Sequence, residues 1–180
     1  MPNYKEKSAQ SGRSMIEMLG VLAIVGVLSA GGIAGYSMAM EDYKTTTLIE
    51  RMNLIVARVQ SLYKSGDYTG INRENLIKSG KLTAKDLENP FGGNLSVGVG
   101  GGGSHYFAMN TGSNNIPANA CVELATLDWN GRRYAPVAIV SEGSSLNSTP
   151  YKQWDNGFPS VEEAATACSG GNKRLYWSFY

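Results

Sequence analysis

The chain has 180 residues and a nearly balanced charge, with 16 Lys and Arg against 15 Asp and Glu and a formal net charge of +1. This balance provides no basic patch of the kind that binds nucleic acid. The residues that follow an apolar N-terminal segment are enough for one domain of ordinary size, so we expect a single globular head.

The apolar N-terminal segment is the most distinctive feature of the sequence. Residues 18–40 carry no charge, and at about 1.5 Å per residue a helix of this length crosses a hydrocarbon core of roughly 30 Å. Glu17 lies just inside the apolar run. An unpaired charge there is unfavourable, so Glu17 implies a partner or a function.

Charged residues flank this segment asymmetrically. Basic residues predominate before it, whereas Glu41 and Asp42 follow it directly. The positive-inside rule therefore predicts a cytoplasmic N-terminus, with everything after Met40 outside the membrane.

The stretch SG-RSMIEMLGVLAIVGVL, within about residues 7–45, resembles the class III signal and N-terminal helix of type IV pilins and pseudopilins. The resemblance implies that a prepilin peptidase cuts after Gly12, which leaves Arg13 first and Glu17 fifth in the mature chain. The family normally has an apolar, N-methylated first residue, and Arg13 departs from that pattern. Glu17 would neutralise the N-terminal amine of a neighbouring subunit and so set the stagger of the packed helices.

The resemblance also implies a function. It predicts a structural subunit, closest to the major pilins of type IVb or thin conjugative pili, that is held in the bacterial inner membrane before it polymerises into an extracellular pilus. The implied partners are other copies of the chain, the prepilin peptidase, an inner-membrane assembly platform and, before assembly, the lipid bilayer. A minor pilin or a type II secretion pseudopilin is the alternative.

A membrane-anchored receptor or enzyme is the third hypothesis. The sequence contains no recognisable nucleophile–base pair, metal-ligand cluster or cofactor-binding loop. We therefore predict no catalytic residue, no cofactor and no metal, and expect a protein that assembles rather than one that catalyses a reaction.

The helix is predicted to continue beyond Met40. The pattern favours one helix from about Ser14 to Lys64, about 75 Å long, which ends before Gly66. Its second half is amphipathic, because apolar residues recur at spacings of three and four. The stripe consists of Leu48, Ile49, Met52, Ile55, Val56, Val59, Leu62 and Tyr63.

Three glycines, Gly31, Gly32 and Gly35, lie in the middle of this helix. Each costs about 1 kcal/mol relative to alanine in a helix interior. One interpretation is a weak point that bends or unwinds when subunits pack into a fibre. The other is close helix packing, since Gly31 and Gly35 form a GxxxG pair.

The connection after the helix, residues 67–96, is predicted to wrap around the head. Asn72 can cap a short helix, and Thr83 can cap a further turn that ends before Asn89 and Pro90. The segment NPFGG, residues 89–93, resembles one found after the N-terminal helix in type IVb and thin conjugative pilins. Its residue types predict a tight turn into a sheet.

The sheet is predicted to contain strands at residues 94–98, 105–110 and 133–141 and an aromatic strand at 173–180 that closes it. Pro136 indicates an edge or a bulge in the third strand. Residues 142–159 are predicted to form a long surface loop. A helix with a stripe of Val122, Ala125 and Trp129 is predicted after Pro117, and a last helix after Ser160.

Cys121 and Cys168 both lie in the outward part of the chain, and we predict that they form a disulfide from cysteine number and compartment. Together these elements resemble the α+β pilin roll, in which a long N-terminal helix packs on an antiparallel sheet with a disulfide-bounded C-terminal region. The predicted segments are a leader (1–12), a transmembrane or filament-core helix (13–40), an amphipathic half-helix (41–66) and the head (67–180).

Overall fold

In the computed structural model, one long helix begins the described part of the chain. The structure describes residues 15–100, 103–112, 116–129, 133–141, 151–154, 158–170 and 173–180. Helix α1 is Met15–Leu62, which confirms the predicted helix to within two residues at its C-terminal end. Gly66 follows at φ +72° and donates its N–H to the Tyr63 carbonyl. The chain divides into two units, one that ends at Met40 and one that spans Glu41–Tyr180.

The connection that follows contains two short helical elements. Helix α2 is Arg73–Lys78, and the Asn72 side chain caps it by accepting the N–H of Asn75. A 3-10 turn is Lys85–Leu87. Here the Thr83 hydroxyl accepts the N–H of Asp86 while the Asp86 carboxylate accepts the N–H of Thr83. Both predicted positions are confirmed.

Five antiparallel strands are found in the described residues. They are β1 (Ser96–Gly100), β2 (Gly103–Asn110), β3 (Arg133–Ser141), β4 (Tyr151–Trp154) and β5 (Lys173–Phe179). Their order in the sheet is β1-β2-β5-β3-β4. Helix α3 (Ala118–Thr126) lies between β2 and β3 in the sequence, and helix α4 (Val161–Cys168) lies between β4 and β5.

The sheet corrects two predictions and decides between two alternatives at Pro136. Residues 142–159 were predicted to be a surface loop, yet Tyr151–Trp154 pairs with β3. Strand β5 does not close the sheet, because it lies in the middle between β2 and β3. Strand β3 lies between β5 and β4 and so is not an edge strand. Its register with β5 shifts on both sides of Ala135, beside Pro136, which confirms the bulge alternative. Strand β1 also begins at Ser96, two residues later than predicted.

The orientation of α3 differs from the predicted stripe. Its buried residues are Ala120, Cys121, Leu124 and Ala125. Val122 is only half-buried, and Trp129 is buried beyond the end of the helix. The helix turns Cys121 inward because that residue bonds to α4.

The core of the head is formed by one face of α1 against one face of the sheet. Alternation is strict in β5, where Leu175, Trp177 and Phe179 are buried. The predicted stripe of α1 is confirmed, with Ile49, Leu62 and Tyr63 half-buried at its margins. Fully buried members on α1 are Leu48, Met52, Ile55, Val56 and Val59.

Candidate assembly surface

The N-terminal part of α1 carries an unusually exposed apolar surface. Every residue from Met15 to residue 39 is exposed in the chain by itself, with Met15 at 83% and Leu28 at 70% of full exposure. Large exposed apolar surfaces on a protein indicate contact with another protein or with a membrane. By length and composition, α1 can cross a membrane.

Glu17 lies in the first turn of α1 as the structure describes it, and its side chain is exposed. A carboxylate at this end of a helix is favoured by the helix dipole. Gly12 and Arg13 lie outside the described residues, so the cleavage position and the pairing of Glu17 with a neighbouring amine stay predictions.

The three glycines in the middle of α1 lie in continuous helix. A Cβ added at Gly31, Gly32 or Gly35 would meet no other atom within 4 Å among those that the structure describes. No contact with the described part of the chain therefore requires glycine at these positions. The bending and the packing interpretations both concern contacts with other subunits, and both stay predictions.

The second half of α1 is attached to the head by polar contacts as well as by its buried stripe. Arg51 donates from Nη1 to the Glu88 carbonyl at 2.6 Å, and Gln60 donates from Nε2 to the Tyr180 carbonyl at 2.7 Å. The two contacts join α1 to the loop before β1 and to the residue after β5. Residues 41–62 are thus part of the same unit as the sheet.

A buried hydrogen-bond network joins the turn at residues 89–93 to the sheet. Asn89 donates from Nδ2 to the Thr111 carbonyl at 2.8 Å, and its Oδ1 accepts the N–H of Phe91. Thr111 in turn exchanges hydrogen bonds with the backbone of Leu175 in β5. Sequence reasoning identified the turn but missed that Asn89 also anchors it, since nothing in the local sequence indicates Thr111 as its partner.

Backbone geometry holds the same region together. Gly92 and Gly93 have φ of 113° and 77°, which confirms the predicted turn chemistry. Gly112 has φ 75°, and its α-carbon lies directly against the Asn94 backbone. The end of β2 can approach the start of the sheet this closely only because residue 112 has no side chain.

The predicted disulfide between Cys121 and Cys168 is confirmed. It joins α3 to α4. The two Cα atoms lie 5.8 Å apart, and the two cysteines are 47 positions apart in the sequence. Both cysteines are fully buried. Cys168 is the last residue of α4, and β5 begins at Lys173, so the bond ties the segment just before the central strand to α3.

Two carboxylates in the connection after α1 have perturbed acidity. Hydrogen bonds from the Thr69 hydroxyl and N–H lower the pKa of Asp67. Hydrogen bonds from the Thr83 N–H and hydroxyl lower the pKa of Asp86. Both shifts are explained by local turns that favour the charged form, so neither marks a catalytic acid.

The described residues hold no cluster of three or more His, Cys, Asp or Glu side chains arranged to bind a metal ion. The features that the structure does describe are an exposed apolar helix and a disulfide-bonded head.

The sequence is similar to a known family and to pilus subunits. A family model described as Bundlin matches residues 37–178. The chain is 28% identical over 177 residues to the major structural subunit of the bundle-forming pilus of Escherichia coli O111:H-, with 90% of this chain and 89% of that protein covered. The corresponding subunit of Escherichia coli O127:H6 matches with the same identity and coverage.

A second group of relatives matches over a shorter stretch. The toxin coregulated pilin of Vibrio cholerae serotype O1 is 28% identical over 99 residues, with 50% of this chain and 44% of that pilin covered.

Proposed function

The chain belongs to the Bundlin family, and from this premise we propose that it is the structural subunit of a type IV pilus of the type IVb group. Its relatives are pilins that build pili and are not enzymes. The match to a major structural subunit covers nearly the whole of both chains. That coverage favours a major pilin over the minor pilin or type II secretion pseudopilin.

The exposed apolar surface of α1 is the observation that carries the proposal. A helix that is apolar on all sides is stable only inside a membrane or among other apolar helices. The N-terminal part of α1 has this character and finds no cover within the described part of its own chain. Self-association through this surface accounts for both the helix and the resemblance to pilus subunits.

The processing steps belong to the proposal as well. We expect a prepilin peptidase to remove residues 1–12 by cutting after Gly12, and residues 13–40 to anchor the chain in the inner membrane. The charge asymmetry around the segment supports a cytoplasmic N-terminus and an outward head. An inner-membrane platform then moves the subunit into the extracellular filament, where residues 41–66 and 67–180 form the amphipathic half-helix and the head.

Glu17 has a specific role in this account. It is the only carboxylate in the apolar half of α1, and in a filament core of low dielectric an unpaired charge is unfavourable. Pairing with the new N-terminal amine of a neighbouring subunit removes that penalty at one register only. The charge therefore selects the stagger of the subunits even where it adds little net stability.

The test is to shear filaments from cells that produce the chain and to determine the N-terminal sequence of the sheared protein. We expect it to begin at Arg13. Cells with Glu17→Gln, which keeps the shape of the side chain but removes its charge, should yield few or no filaments while the variant accumulates in the membrane.

Glu50→Gln is the matched control, because it makes the same change at an exposed carboxylate on the polar side of the same helix. It should leave the filament yield near that of the wild type. Sheared protein that begins at Met1, or normal filaments from Glu17→Gln cells, would contradict the proposal.

A further inference from the structure

Two parts of the head differ in the sign of the charges that they carry. Residues 116–129 and 158–170, which include α3 and α4, contain acidic residues but no Lys or Arg. The acids, all exposed, are Glu123, Asp128, Glu162 and Glu163. Residues 73–85, which include α2, are instead mainly basic, with several Lys and Arg residues and the single acid Glu74. We call residues 73–85 the basic segment.

Some of these charged side chains form ion pairs or hydrogen bonds within the chain, and others do not. In the basic segment, Lys78 pairs with Glu74 at 2.8 Å, whereas Lys81 and Lys85 are exposed and form no ion pair with any residue that the structure describes. On α4, the Glu163 carboxylate accepts the N–H of Ser160 in a capping box.

Glu162 is the carboxylate on α4 that can pair with a charge on another molecule. Its side chain is exposed, and no hydrogen bond or ion pair to it is found within the described ranges. In the described part of the head, Glu162 on α4 and two lysines of the basic segment thus form no ion pair with one another or with other described residues.

A groove lies beside Glu162. It has a volume of about 240 Å³ and is lined by Glu162, Glu163, Thr166 and Ala167 on one face of α4. The surface that these four residues provide is largely apolar, and two of them, Glu162 and Glu163, carry carboxylates. A lysine suits such a groove, because its four-carbon stem covers apolar surface while its ammonium can pair with a carboxylate.

We propose that this groove on α4 binds the basic segment of a second copy of the chain, with Lys81 or Lys85 paired to Glu162. The inference rests on the proposed function, since it concerns contact between subunits. The groove and the basic segment are different surfaces of one molecule, so the contact is heterologous. Heterologous contacts that do not close on themselves propagate into helical filaments.

The contact is expected to depend on salt. Exposed ion pairs are screened over about 8 Å at physiological ionic strength, and each is weak alone. In a filament the same pair repeats at every subunit, so its effect accumulates. Like charges brought together at the same place have a larger effect than the loss of one pair.

The first experiment cross-links wild-type filaments with a carbodiimide, which forms an amide directly between a lysine amine and a carboxylate. Mass spectrometry of the band at the dimer position should find Lys81 or Lys85 joined to Glu162. This measurement does not depend on the folding of any variant. Filaments that give no such linkage between copies overturn the inference and leave the proposed function standing.

The second experiment reverses the charges. Glu162→Lys alone and the double change Lys81→Glu with Lys85→Glu should each lower the yield of sheared filaments roughly ten-fold or more, and the combination of all three should restore it. Lys64→Glu, at an exposed lysine outside the basic segment, is the control and should leave the yield unchanged.

The outcomes separate the two claims. If Glu162→Lys assembles as well as the wild type, or the combined variant recovers no yield and the cross-link is absent, the groove does not bind the basic segment. If the wild-type chain forms no filaments at all, the proposed function itself fails, and the inference with it.

Discussion

Gly112 provides the sharpest test of how the head is held together. It is buried at the end of β2 with φ 75°. A Cβ built there would overlap the Asn94 carbonyl oxygen and lie 2.8 Å from the Asn94 carbonyl carbon. Because both of these atoms belong to the backbone, a substituted side chain cannot be accommodated by a change of rotamer.

Two separable effects set the magnitude for Gly112→Ala. A left-handed conformation costs an alanine about 1–2 kcal/mol, and forcing packed backbones apart costs a further amount of about 1–3 kcal/mol. We therefore expect the free energy of unfolding to fall by about 2–5 kcal/mol. A loss of this size is a large part of the total stability of an ordinary domain.

Gly70→Ala isolates the first effect. Gly70 has nearly the same conformation, with φ 78°, but an added Cβ would meet no described atom within 4 Å. This variant should lose only about 1–2 kcal/mol. The assay is urea unfolding of the full chain in a non-ionic detergent, followed by the fluorescence of the buried Trp129 and Trp177. Equal losses in the two variants would show that the close approach of Gly112 to Asn94 is absent in solution.

Three further predictions concern the rest of the head. Replacing both Cys121 and Cys168 with serine should lower the free energy of unfolding by up to about 4 kcal/mol for a loop of this length, and an unfolding curve unchanged by reductant would argue against the bond. Asn89→Ala should cost about 1–3 kcal/mol in the same urea assay, because it leaves the buried Thr111 carbonyl without its donor, and a loss no larger than at an exposed asparagine would refute this. Asp86→Asn should destabilise the head at neutral pH, because the pKa of Asp86 is lowered in the folded chain and its stabilisation is present above the ordinary pKa of the carboxyl group. That difference from the wild type should disappear as the pH falls below about 4, and a difference that persists in acid would contradict the sign.

Local patterns predicted the helices well. Helix α1 follows from uninterrupted apolar residues and then a stripe at helical spacing, both of which are properties of neighbouring residues. The cap at Asn72 and the capping box at Ser160 depend on side chains within three residues of the helix start. Such signals are complete within a short window of sequence.

The sheet was predicted less well because strand order is not a local property. The aromatic alternation of β5 identifies a strand with one buried face, but it does not indicate which strands lie on either side. Tyr151–Trp154 is short and surrounded by polar residues, and it becomes a strand because β3 offers it a free edge. Pro136 was compatible with an edge strand or a bulge. Because β4 pairs with the other side of β3, β3 is not an edge strand, and the bulge is the alternative that holds.

The sequence by itself determined the apolar helix with its single carboxylate at Glu17, the two cysteines in the outward part and the positions of most turns, because each depends on residue type and short spacing. The tertiary structure alone decided that β5 is central, that Asn89 reaches Thr111 and that Gly112 must lack a side chain. These features join residues that are distant in sequence, and such pairings are fixed only when the whole head packs around α1.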